Sequence, residues 1–218
     1  MLDYIINYMK SNNQTIFTNP SELNIVYVEG MNLDLSLNAD KFNEWNDLRL
    51  VFSYVDDCPE IVFKQIATTE PGKLATFNKD SIARRGVARI AFGQYSCWKI
   101  GYHKVSTNRR NHPALIQCSP LPVYRDLNRD GSRIGDVIYT GMFGINQHGT
   151  RIGYNDSNKN GVENWSEGCL VGKDWNKHIE FINLLKQDPR FKTNNEFIFT
   201  TTIIPGDQIN TTDSLVFN

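Results

Sequence analysis

Two short segments carry the residue types of a thiol acyl-transfer site: Gln147-His148-Gly149-Thr150 and, 21 residues after the histidine, Ser166-Glu167-Gly168-Cys169. A cysteine becomes a useful nucleophile when a base takes its proton and fixed donors wait for the oxyanion formed on a carbonyl. His148 can supply the base and Cys169 the thiol. Between them, Gly153, Gly161 and the polar run Asn155 to Asn160 form a turn-rich excursion that can fold the two side chains back together. Gly168 allows a sharp backbone turn that would aim the Cys169 N–H at a substrate oxygen, with the Gly168 N–H as a second donor.

At these residues the chain resembles the L,D-transpeptidase catalytic domain, whose signature is a His-Gly pair followed at this spacing by Ser-His-Gly-Cys. The resemblance spans roughly residues 45 to 205. It implies a β-rich fold and a cysteine acyl-enzyme that rearranges, or hydrolyses, peptidoglycan stem peptides. It further implies Cys169 as nucleophile, His148 as general base, Gly149 as the carbonyl that orients the imidazole, and Ser166 as support behind them. Glu167 stands where the family has a second histidine, and Val171 where it has an arginine. The turn Thr68-Thr69-Glu70-Pro71-Gly72 is similar to the family's Thr-Pro-x-Gly turn, with Glu70 inserted.

Other groups compete for roles. His103, at the end of a β-type run, is the reserve base or a substrate contact, and Glu167 and Arg85 are the other substrate-binding candidates. Arg84, Arg85 and Arg89 form a basic cluster that reads as a solvated face, or else as a carboxylate contact. His178 falls on a predicted helix and reads as a packing or surface residue. Asp126, Asn128 and Asp130 imitate a calcium loop, but β-type runs flank them where helices are required, so a polar hairpin turn is the preferred reading. No His-Glu-x-x-His set is present for a metallopeptidase.

The composition narrows the classes. Lys and Arg number 23 against 24 Asp and Glu, which leaves no basic footprint for nucleic acid. No apolar run is long enough for a membrane span, and no signal peptide is recognisable at the N-terminus. Cys58, Cys97, Cys118 and Cys169 lack zinc-ribbon spacing and, if Cys169 stays a thiol, cannot all pair. No cofactor is implied. Action on the bacterial wall would then need another delivery route, phage lysis among them. The rival class is a non-catalytic module that keeps the fold and binds cell wall or a virion partner, for which Cys169 would be buried and inert.

The expected fold is mainly β, a β-rich α+β sandwich or open barrel with one helix packed behind Cys169. Residues 1–44 read as an N-terminal helix and strand extension, 45–205 as the catalytic domain and 206–218 as a polar tail. Leu2, Ile5, Ile6 and Met9 share a helical face, and Ile25 and Tyr27 alternate with Val26 and Val28 in a strand. Short β-type runs follow at 48–55, 60–69, 87–92, 98–102, 121–124, 137–139 and 142–145, the last of them leading to His148 at a strand end. Asp174 and Pro189 bracket a helix over about 174–187, and Phe197 to Ile204 closes the sheet.

Overall fold

The computed structural model describes residues 1–78, 86–103 and 112–209. Eight strands close a barrel in the order β1 (Asn24–Glu29), β11 (Phe199–Pro205), β5 (Gly93–His103), β6 (His112–Gln117), β9 (Gln147–Gly149), β10 (Leu170–Gly172), β3 (Cys58–Thr68) and β2 (Asp47–Val55). Beside it lies a three-stranded sheet, β4 (Val87–Ile90), β7 (Leu121–Asp126) and β8 (Val137–Gly141). The mainly β class holds, but the barrel is closed rather than open. The closing staves are β9 and β10, of three residues each, and a single residue pair, Leu115 with Gln147, joins β6 to β9. Strands that short leave no periodic trace in a sequence.

Burial explains the strand patterns. Along β1, Ile25 and Tyr27 enter the barrel core, whereas Val26 and Val28 meet Ile5, Ile6 and Met9 of helix α1 (Leu2–Ser11). Both faces are covered, so every residue of β1 is buried. Because β1 pairs with β2 and, in parallel, with β11, the segment before residue 45 contributes a stave to the barrel.

Helix α3 (Trp175–Leu185) forms where the periodicity predicts a helix and packs against β3, β6, β9 and β10, with Asp174 accepting from the Lys177 N–H at its N-cap. Its Phe181, Ile182 and Leu185 pack into the same core as Trp98, Leu115 and Leu170. Two shorter helices, α2 (Lys73–Phe77) and α4 (Pro189–Thr193), flank the barrel. Among the described residues no helix is long and apolar enough to cross a membrane.

The expected strand over Met142 to Ile145 is not formed. Side chains take the backbone groups that a ladder would use: Gln117 Oε1 accepts the N–H groups of Phe143 and Ile145, and the Trp98 indole donates to the Ile145 carbonyl. Gly144 lies at φ +73° between them. The Asp126–Asp130 segment is the polar turn of the β7–β8 hairpin. The Asp126 carboxylate accepts from the N–H groups of Asp130 and Gly131, and Asp130 accepts from that of Ser132.

Candidate active site

Parallel pairing of β9 with β10 brings the two sequence motifs together. Leu170 pairs with Gln147 and Val171 with His148, and the Leu170 N–H donates to the Asn146 carbonyl, which sets Cys169 level with Asn146. The Asn146 N–H points at the Cys169 Sγ at 3.4 Å, and the thiol donates to the Gly144 carbonyl at 3.5 Å. The Asn146 amide also reaches the His103 Nδ1 at 3.1 Å, and His103 stacks on His148 with ring centroids 4.2 Å apart. Thiol, amide and both imidazoles therefore occupy one side of the β9–β10 pair. Gln147 turns the other way, into the barrel, where it bonds Tyr27 and Thr201.

Gly149 and Gly168 are required by close approaches. A Cβ on Gly149 would lie 2.7 Å from the His178 Cβ of α3, so only glycine lets the helix pack against the strand that carries His148. The Gly149 carbonyl accepts from the His148 Nδ1 at 2.8 Å. A carbonyl can only accept, so Nδ1 carries the proton and Nε2 is the basic nitrogen. Gly168, at φ +135°, lies over β4, where a Cβ would meet the Ala88 carbonyl at 2.4 Å.

Ser166 is buried, and its hydroxyl donates to the Cys169 carbonyl at 2.8 Å while accepting the Gly168 N–H at 3.1 Å. That second bond corrects one expectation: the Gly168 N–H is occupied and does not face a substrate. The Cys169 N–H has no acceptor among the described residues and is left as a free donor beside the thiol. Glu167 is exposed, and its carbonyl accepts the Ala88 N–H at 3.2 Å.

The resting pair is uncharged. Burial pushes the half-buried Cys169 thiol up to about 11, with the Asn146 N–H pulling down and Glu167 pushing up. Burial, then the His103 charge, hold His148 well below the usual imidazole range despite the Gly149 hydrogen bond. The thiol is thus neither the readily alkylated thiolate of an ion pair nor a sealed core residue. His103 is lowered by burial, and His112, which faces it across the β5–β6 hairpin, falls to about 4 through burial and the His103 charge. Cys58, Cys97 and Cys118 are free thiols.

The Thr68–Gly72 turn lies against the cysteine loop, since the Gly72 N–H donates to the Ser166 carbonyl at 2.9 Å. Glu70 from this turn pairs with Arg89 at 2.7 Å, so Arg89 is a partly buried ion-pair partner rather than part of a solvated basic face. Arg84 and Arg85 lie outside the described residues. Glu29, Asp40 and Glu70 offer carboxylate oxygens close enough to share an ion, but Arg133 already holds Glu29, as Arg89 holds Glu70.

No family model, curated protein or solved structure matches this chain. The reading of the site therefore rests on its own geometry. Three residues that position it escaped sequence reasoning: Asn146, Gln117 and His112. The first two are amides without a motif, and His112 gains meaning only from its pairing with His103.

Proposed function

We propose that the chain is a cysteine-dependent acyltransferase or peptidase acting on peptidoglycan stem peptides, an L,D-transpeptidase-like enzyme. The observation that carries this reading is the His148 Nδ1–H bond to the Gly149 carbonyl, beside a thiol held level with Asn146 on the adjacent strand. It leaves Nε2 as a free base on the side of the sheet that bears the thiol.

The Cys169 Sγ attacks an amide carbonyl carbon while its proton passes to His148 Nε2, and the Cys169 N–H holds the oxyanion. The C–N bond then breaks, with His148 returning the proton to the leaving amine. An acyl-thioester remains on Cys169. An incoming amine gives a cross-link; water gives the hydrolysed stem. Because both groups start neutral, proton transfer accompanies attack rather than preceding it. The place of action is the bacterial cell wall.

One observation favours a second reading, a non-catalytic wall-binding or virion module with the same fold. The thiol is unactivated at rest, with an acidic residue, Glu167, two positions before it. The test is incubation with purified stem tetrapeptides and pentapeptides, followed by intact-protein and product mass spectrometry. The enzyme gives an acyl adduct on Cys169 and cross-linked or shortened peptide, both abolished in Cys169→Ala. Retention of peptide or sacculi without an adduct or product establishes the module instead.

A further inference from the structure

Behind His148, inside the barrel, lies Arg49 of β2, fully buried. Its guanidinium donates to the Tyr27 hydroxyl, the Gln65 Oε1 at 3.0 Å, the His178 Nδ1 at 3.1 Å and the His148 carbonyl at 3.4 Å. It lies over the Phe181 ring, 4.4 Å from the centroid. Every one of these partners is neutral, and among the described residues Arg49 forms no ion pair. A buried cation without a counter-ion is costly, and an apolar side chain of similar volume would fill the space at less cost. Stability therefore gives no reason for a charge here.

We propose that Arg49 is a positioning residue of the thiol site: its fixed charge and its bond to the His148 carbonyl hold that imidazole in place and in the uncharged, base-competent form. The inference rests on the acyl-transfer reading for its purpose, though its electrostatic part can be measured independently.

The surroundings of His148 single out Arg49. The titratable groups around it are His103 from β5, His112 from β6, Cys169 ahead of β10, His178 from α3 and Arg49 from β2. Burial holds His103, His112 and His178 low, so none of the three carries charge at neutral pH, and the Cys169 thiol is protonated. Although His103 and His112 each outweigh Arg49 once they are charged, Arg49 is the one permanent charge of the set. The network also fixes tautomers. Arg49 can only donate, so His178 Nδ1 accepts and His178 Nε2–H donates to the Pro113 carbonyl at 2.8 Å, one residue from His112.

The experiment is a ¹⁵N NMR titration of the histidine rings over roughly pH 5 to 8, where an ordinary imidazole changes charge. It uses the full chain as wild type, Arg49→Gln and Arg49→Lys, with His148→Ala to assign the resonance. His148 is expected to stay neutral with Nδ1–H throughout in the wild type. In Arg49→Gln its transition should move upward, and in Arg49→Lys it should stay where it is in the wild type. A wild-type His148 that titrates normally overturns the inference without needing any variant to fold, and so does a folded Arg49→Gln protein with an unchanged transition. Acylation of Cys169 by a stem peptide, followed in parallel, separates the two claims: acylation unaffected by His148→Ala defeats the acyl-transfer reading, whatever Arg49 does to the titration.

Discussion

His103 and His148 stack with their rings 17° from parallel, and the Asn146 side chain that bonds His103 Nδ1 belongs to the residue whose N–H faces the thiol. One residue thus ties the second imidazole to the thiol. Charge on His103 lowers His148, so removing that imidazole should raise the His148 transition. His103→Phe, which keeps a stacked ring, is expected to shift it upward in an NMR titration. It should also slow Cys169 acylation at mildly acidic pH more than at pH 8, because a raised transition leaves less free base at low pH.

The thiol makes a pH prediction of its own. With Cys169 pushed up to about 11, its alkylation by iodoacetamide should rise about tenfold per pH unit from neutral pH to near that value, as the thiolate fraction does. Intact mass against time at several pH values measures this. A plateau near neutral pH would instead mean a thiolate–imidazolium pair at rest.

Ser166 and Gly168 hold the cysteine loop through different physics. Ser166→Ala removes a buried hydroxyl with two hydrogen bonds and should cost about 1–3 kcal/mol in urea unfolding. Gly168→Ala combines a positive φ with a carbonyl contact at 2.4 Å and is expected to cost more than roughly 2 kcal/mol. Both losses should leave the m-value unchanged if the fold persists.

The carboxylate cluster beside the turn gives a stability prediction with a definite sign. Burial, then Glu29, push Asp40 up to about 6, above the ordinary aspartate value of 3.8. The folded protein therefore keeps a proton that the unfolded chain releases, and stability falls as pH rises from 3.8 through 6. Asp40→Asn should raise Tm by about 2–4 °C at pH 8, corresponding to about 1 kcal/mol in a chain of this size, and by much less at pH 4. Differential scanning fluorimetry at the two pH values measures the difference.

Much of this architecture was legible in residue types. The face of α1, the two-sided β1, α3 with its Asp174 cap and the closing β11 all follow from period and cap, because one continuous segment carries each signal. The thiol and imidazole were legible from spacing. What stayed hidden depends on partners distant in sequence: closure of the barrel through β9 and β10, the loss of a strand to Gln117, and the occupied Gly168 N–H. Arg49 shows the limit most clearly. In the sequence it is one charge in the run Leu48-Arg49-Leu50 with no motif to mark it, and only barrel closure turns it inward.

Parallel pairing of β9 with β10 has a consequence for how this site tolerates change. Ladder register, rather than the chain running between them, sets the separation of imidazole and thiol, and the mostly exposed Asn155–Asn160 segment of that chain takes no part in the ladder. A few residues added there lengthen a surface loop at small entropic cost and leave imidazole and thiol where they were. That segment is therefore a natural port for a peptide tag or a fluorophore: a reporter placed within one chain excursion of the thiol without touching the ladder that aims it.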